Sequence, residues 1–317
     1  MENKSHVSNQ VVTFLLLILA ISIWGSAYIT SKIASSQSDI FVFLMMRFGV
    51  SCVGLTVVDA LRPKKHLSPE QRARYHVTKK DLPMVAFVGI VGYTISLGFQ
   101  TYGTKYAGAG VSSLINAMNP VVICILAVVI LHEHINIHKL LCLAIAVIGA
   151  FCIVGFGEIA HPIGILFSFL AVFFWAYVSV LIRIMTHKYD PVTLTRWELY
   201  FAELATIPLV LFMMITHPGV ERAFLNPQVW LCALYSGGVS TIVGHTLWNV
   251  CLSRCEASTC SLFYPMQPLT AMILGVLLLD EKLSAGTVIG GILIILGVIY
   301  SSVSSILVEK HHHASHT

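Results

Sequence analysis

Residues 109–133 read AGVSSLINAMNPVVICILAVVILHE, and residues 257–281 read ASTCSLFYPMQPLTAMILGVLLLDE. Set one above the other without a gap, they agree at 10 of 25 positions, among them Ala109/Ala257, Ser113/Ser261, Met118/Met266, Pro120/Pro268, Leu131/Leu279 and Glu133/Glu281. Two unrelated apolar helices share Leu, Ile and Val by chance, whereas a shared Pro and a shared Glu point to an internal repeat. The match extends both ways. Gly149 pairs with Gly297 at the same offset of 148. An offset of 151 pairs Trp24 with Trp175, Lys32 with Arg183, Ile33 with Ile184 and Asp39 with Asp190, and an offset of 149 pairs Arg47 with Arg196. The chain therefore reads as two halves, 1–157 and 158–317.

The solvent of these halves follows from composition. Of 317 residues, 56% are hydrophobic and 11% charged, with a mean hydropathy of +0.83; a soluble domain carries about 25% charged residues. That excludes a water-soluble enzyme. The net charge is only +4 and seven of the nineteen Lys and Arg residues fall in one loop, which speaks against a nucleic-acid binder. The eight cysteines lie in apolar stretches and read as packing residues rather than a disulfide framework or zinc ribbon.

A hydrocarbon core of about 30 Å takes about 20 apolar residues per helix. Ten segments reach that length: 11–34, 39–61, 82–104, 109–131, 137–156, 162–184, 190–216, 227–249, 257–279 and 285–307. Strand-like alternation is absent, so a barrel is excluded. The first segment runs past Trp24 without a small-residue cleavage site and reads as a retained helix. With the N-terminus inside, 13 Lys and Arg fall in inner loops and three in outer ones, which predicts a cytoplasmic (plasma or inner) membrane location with both termini cytoplasmic. Five spans per half is an odd number, so the second half enters from the opposite side. The expected fold is an all-α polytopic membrane protein of ten transmembrane helices in two inverted five-helix repeats, the architecture of secondary carriers with a solute site between the halves. Duplication without transport is the competing reading.

Several of these residues carry a family likeness. Trp24-Gly25-Ser26 with Lys32 eight positions on, Arg47 in span 2, the stretch from Asn119-Pro120 to Leu131-x-Glu133, and its partner from Gln267-Pro268 to Leu279-Asp280-Glu281-Lys282-Leu283 resemble the drug/metabolite transporter (DMT) superfamily, and within it the two-repeat EamA type. The resemblance covers nearly the full chain and departs at Ala176, where the first half has Gly25. It implies a ten-helix carrier exporting amino acids, other metabolites or drugs.

An ionisable group inside a span costs about 2.5–3.5 kcal/mol and so needs a reason. Measured from Asp190, Arg196 lies about 9 Å and Glu203 about 20 Å along span 7, on one face and about 10 Å apart. A zwitterionic solute, a partner side chain or water fits that gap. Glu203, the acid this count puts near the midplane, is a candidate coupling or substrate-amine site, or else a neutral hydrogen-bonded group; Glu198 points away from Arg196 toward another neighbour. Arg47 and Arg196 serve solute or fix structure. Pro120 and Pro268 free the carbonyls of Asn116 and Tyr264 and kink spans 4 and 9, beside Asn119 and Gln267, for solute binding or for packing alone. Tyr93, Gln100 and Tyr102 on span 3, His245, Trp248 and Asn249 on span 8, and Trp24, Tyr28, Trp175 and Tyr177 on spans 1 and 6 line a cavity or belong to an interfacial belt.

Glu133 and Glu281 read as structural, just before the N-caps Asn136 and Ser284. His132, His134 and His138 lack metal-ligand spacing, and His311, His312, His313 and His316 form an exposed tail, so no metal and no cofactor are expected. Gly286, Gly290 and Gly297 form a stripe for close helix packing or for a second copy of the chain in a homodimer. Expected partners are a small-molecule solute and membrane lipid, not nucleic acid. The leading reading is proton-coupled export of a small organic metabolite by alternating access. A non-transporting scaffold, or an intramembrane enzyme using Glu203 with His245, is the alternative; no nucleophile, metal or phosphate-loop motif supports the enzyme.

Overall fold

The computed structural model describes residues 2–62, 68–116, 118–135, 137–154, 161–279, 288–290, 292–293, 295–297 and 299–300. No strand occurs among the described residues. Among the described residues, five helices are long and apolar enough to cross a membrane: Gln10–Ser35, Ile40–Leu61, Leu82–Gly103, Pro162–Lys188 and Pro191–Thr216. Asn119–Leu131, Ile137–Gly149 and Val288–Gly297 are shorter apolar helices. Asn136, Glu281, Ser284, Gly286 and the terminal histidines lie outside the described residues, as do the side chains of Tyr28 and Pro268. Gly290 and Gly297 are buried within the single chain, as the packing reading of their stripe requires.

Acidic caps set the helix starts in both halves. Helix α1 (Glu2–Ser35) turns into Asp39, whose carboxylate accepts from Phe41 N at 2.8 Å and opens α2 (Ile40–Leu61). The basic loop holds α3 (Pro69–Ala73), started by a reciprocal Ser68–Gln71 capping box. Then come α4 (Leu82–Val88), a π-helical stretch Gly89–Ile95, α5 (Ser96–Asn116), α6 (Asn119–Leu131) and α7 (Ile137–Val154). In the second half α8 (Pro162–Lys188) leads to Asp190, which accepts from Thr193 N at 3.0 Å and opens α9 (Pro191–Thr216). After a 3-10 turn, Val220–Leu225, follow α10 (Pro227–Tyr235), a π-helical stretch Ser236–His245, and α11 (Thr246–Arg254). Two further helices are α12 (Ala257–Ser261) and α13 (Met266–Leu279).

Spans 4 and 9 depart from the sequence reading. Helix continues from Leu82 to Asn116, where a loop was expected near 105–108, and α6 restarts at Asn119 directly before Pro120. Between α12 and α13 the chain runs through Leu262–Pro265 on i→i−3 bonds, with Tyr264 N donating to Ser261 O at 3.0 Å and Met266 N to Phe263 O at 3.0 Å. Pro265, three residues before Pro268, removes a second backbone donor, so the span is broken rather than kinked. The two carbonyls expected to be free are both partnered. Asn116 O accepts from Asn119 Nδ2 at 2.9 Å and Tyr264 O from Gln267 N at 2.9 Å, because the residue before each proline is close enough to donate in its place.

Packing crosses between the halves. Helix α5 runs antiparallel to α8: Ser96 Oγ donates to Ala171 O at 2.9 Å, Phe99 stacks on Phe167 at 5.5 Å, and Tyr106 faces His161. Helix α1 runs antiparallel to α10 and α11, through Thr30 Oγ1 and Ser236 Oγ at 2.8 Å, the Trp24 and Trp248 rings, and Cys251 Sγ donating to Thr13 O at 3.7 Å. Helices α2 and α9 are antiparallel as well, tied by Thr56 and Tyr200 at 2.6 Å and by Arg62 and Asp190 at 2.6 Å. In addition α1 packs on α13, and α6 on α8. The largest buried cluster, which includes Phe14, Leu17, Trp24, Trp175, Trp248 and Phe263, lies where these pairs meet.

Candidate functional site

Trp24 is the centre of a buried group of rings. Its centroid lies 4.7 Å from His245, 5.5 Å from Trp248, 5.7 Å from Trp175 and 6.1 Å from Tyr264. Tyr93 closes the group at 4.8 Å from His245 and 5.9 Å from Trp175, and the Trp175 indole N–H donates to the Tyr264 hydroxyl. Edge and tilted contacts of this kind contribute about 0.5–1.5 kcal/mol each beyond area burial. The rings come from α1, the Gly89–Ile95 stretch, α8, the Ser236–His245 stretch, α11 and the α12–α13 turn, so both halves of the chain supply them.

A carboxylate joins the rings. Glu198 of α9 is fully buried; its Oε2 accepts from Asn249 Nδ2 at 3.1 Å and from Tyr93 OH at 3.3 Å, and Asn249 Nδ2 also donates to Thr195 Oγ1 at 2.9 Å. Several buried polar atoms here have no hydrogen-bond partner among the described residues: Glu198 Oε1, Asn249 Oδ1, Trp24 Nε1, Trp248 Nε1 and His245 Nδ1. An unmade bond at a buried polar atom costs about 1–3 kcal/mol. Five in one cluster mark a place suited to receiving polar groups from a solute.

Arg47 is a second charged residue buried near the rings. It is buried on α2 and donates from Nε to Thr241 Oγ1 at 2.7 Å and from Nη2 to Ser240 Oγ at 3.5 Å. Both residues follow a capping aspartate by eight positions, Arg47 after Asp39 and Glu198 after Asp190. Their neighbourhoods match too. Gly89 packs against the Glu198 carbonyl so tightly that a Cβ would strike it, and a Cβ on Gly237 would sit 2.6 Å from the Arg47 carbonyl oxygen. This corrects the equivalence of Arg47 with Arg196: the two-residue shift that it needed has no counterpart in the caps or the contacts, and Arg47 corresponds to Glu198.

The remaining sequence candidates spread outward. Arg196 forms an ion pair with Asp59 of α2, whose side chain is 8% exposed, so its partner is a side chain rather than the Glu203 gap. Glu203 lies half-buried between α9 and α2, with Oε1 3.5 Å from where a Gly49 Cβ would be and Oε2 unpartnered. Tyr177 packs on the exposed ring of Phe87. Gln100 is half-buried on α5, Asn119 is buried on α6 with Oδ1 unpartnered, and the Gln267 carbonyl rests against Gly25. Trp24, Trp175, His245, Trp248 and Asn249 meet in the cluster and Arg47 borders it. Glu198 was passed over because it was judged only by its angle from Arg196; the offset of 151 carried past Asp39 and Asp190 would have matched it to Arg47.

One end of the bundle is tied by charge. Besides Arg196–Asp59 and Arg62–Asp190, Lys139 pairs with Glu256 and donates to Ser258 Oγ at 2.9 Å, and Arg183 donates to Leu252 O. Asp81 accepts from Lys188, from Tyr189 and, at 3.0 Å, from Thr78; the Lys188 ammonium foremost, with the two hydroxyls, draws its carboxyl down to about 2. Glu133 reaches across from the end of α6 to the start of α12, accepting from Ala257 N at 2.9 Å, Ser258 N at 3.1 Å and Ser258 Oγ at 2.5 Å. It is thus an N-terminal cap supplied from the other half of the chain.

The chain matches the model of the EamA-like transporter family twice, over residues 12–155 and 162–303. It is similar to an uncharacterized transporter of Archaeoglobus fulgidus, 26% identical over 90% of this chain and 96% of that protein. The uncharacterized transporter YoaV of Bacillus subtilis is 22% identical over 91% of this chain and 96% of its own length. A crystal structure with 16% sequence identity superposes with a TM-score of 0.76 over 94% of this chain and 99% of that one, a likeness of fold.

Proposed function

Since the chain belongs to the EamA-like transporter family, we propose that it is a secondary active carrier that exports a small organic metabolite across the cytoplasmic membrane by alternating access. The observation that carries this reading is the ring and carboxylate cluster at the meeting of the two halves, with its five unpartnered polar atoms. The crossed packing supports ten spans in two inverted halves, 1–157 and 158–317. The first helix of each half lies along the third span of the other, and the paired helices α2 and α9 run antiparallel, as equivalents related by an axis in the membrane plane must. By the 13-to-3 count of basic residues, the ion-paired end faces the cytoplasm, so this conformer is closed on that side.

Purified protein in proteoliposomes, offered a panel of amino acids, sugars, nucleotides and drugs, should carry at least one of them, and Trp24→Ala should abolish that flux. A folded protein that moves nothing on the panel supports a scaffold instead, and a chemically altered solute supports an enzyme. We further propose that Glu203, with one oxygen unpartnered between α2 and α9, is the proton-coupling acid. Glu203→Gln should then fold and reach the membrane but transport without pH dependence, whereas an unchanged pH profile would make Glu203 a packing residue.

A further inference from the structure

The His245 imidazole sits inside a cage of rings. Its centroid is 4.7 Å from Trp24, 4.8 Å from Tyr93 and 5.6 Å from Trp175, and its Nδ1 has no hydrogen-bond partner. Aromatic walls around a compact body are the surroundings in which a cation is held by ring quadrupoles. At the margin of the cage, Glu198 Oε1 and Asn249 Oδ1 are both buried and unpartnered, while Glu198 Oε2 is already held by Tyr93 and Asn249. Two unfilled acceptors, one on a carboxylate, suit an ammonium carrying N–H donors. An anion would meet the carboxylate with like charge, and a neutral alcohol would touch the rings without a charge partner. The Arg47 guanidinium donates to the hydroxyls of Thr241 and Ser240, and no ion pair joins it to Glu198 among the described residues.

We propose, resting on the carrier reading above, that the solute of this site is a compact organic ammonium ion, which displaces the His245 imidazole from the cage and pairs with Glu198. In the conformer described, the imidazole fills the place the ligand takes. Ligand entry then requires movement of the Ser236–His245 stretch, an irregular part of its span.

The test uses three probes of one shape and different charge: 2-phenylethylamine, protonated at neutral pH, with 2-phenylethanol and phenylacetate. Binding to the purified full-length protein is read from the thermal midpoint and from tryptophan fluorescence at pH 7. The amine should bind at least tenfold more tightly than either isostere. Glu198→Gln should erase that preference, and His245→Ala, which empties the cage, should tighten amine binding severalfold. If Glu198→Gln does not fold, Asn249→Ala serves, with weaker amine binding and unchanged phenylacetate binding expected. Equal binding of the alcohol or the anion by the unsubstituted protein, a preference that survives Glu198→Gln, or no binding of any probe overturns the proposal. Flux separates the two readings. Transport of panel solutes without any preference for amines sinks the ammonium proposal alone, and amine-selective binding without flux of any solute sinks the carrier reading alone.

Discussion

Glu133→Ala tests whether the two halves are latched at the charged end. The carboxylate accepts three hydrogen bonds from the first turn of α12, two from backbone N–H groups that have no other helical partner. Loss of a side-chain cap costs about 0.5–2 kcal/mol, and bonds to a charged acceptor lie at the upper end, so about 2 kcal/mol is lost from the conformer described, the closed one of the proposed cycle. If the open conformer lacks this contact, its population relative to the closed one rises about thirtyfold. Cys124 reports the change, since it is buried beneath the latch with Sγ 3.9 Å from Ser258 O and 3.8 Å from Ser261 Oγ. On a background retaining only that cysteine, Glu133→Ala should speed maleimide labelling of Cys124 by a comparable factor, and Glu133→Gln, which keeps one acceptor oxygen, by less. Labelling at an unchanged or slower rate in a folded Glu133→Ala protein would refute the latch.

Arg196→Ala removes the ion-pair partner of the nearly buried Asp59 carboxylate and should lower the thermal midpoint, a loss that Asp59→Asn partly restores. Gly237→Ala sets a Cβ 2.6 Å from the Arg47 carbonyl and should cost at least about 1–3 kcal/mol in thermal stability, whereas Gly238→Ala, with open space around it, should cost far less. Asp81 has a carboxyl depressed to about 2 from the ordinary 3.8, so its stabilising contribution is present above the ordinary value and fades as the pH falls toward 2. The thermal midpoint should drop over that interval, and Asp81→Asn should flatten the drop.

Much of the architecture is legible in the sequence because lipid imposes long apolar runs, and Asp39 and Asp190 announce their helices by cap chemistry alone. Trp24 and Trp175 could be singled out because a large amphipathic ring more than two turns from a helix start has no interface to occupy. The breaks in spans 4 and 9 were misjudged for a local reason. Proline was counted as a removed bond, but Asn119 and the backbone N–H of Gln267 supply substitutes that only a folded turn reveals. Glu198 was hidden by tertiary geometry. Its partners Tyr93 and Asn249 lie 105 and 51 residues away, so no spacing on α9 marks it. For Arg196 the partner-side-chain alternative holds: Asp59, 137 residues distant, pairs with it, and no spacing on α9 names that partner.

The π-helical stretches at Gly89–Ile95 and Ser236–His245 have a bearing on how such a chain tolerates insertions and deletions. Each stretch holds one residue more per turn than regular helix would, with Ser96 N reaching back five residues to Val91 O. Removing one residue from Gly89–Ile95 would let that stretch close into regular helix while the residues beyond it keep nearly their present facing, because the wide turn already takes up the extra residue. The chain should therefore accept a single deletion inside the stretch with the Ser96 contact to α8 kept, whereas the same deletion further along α5, in regular helix, would rotate everything beyond it by about 100° and break the packing on α8.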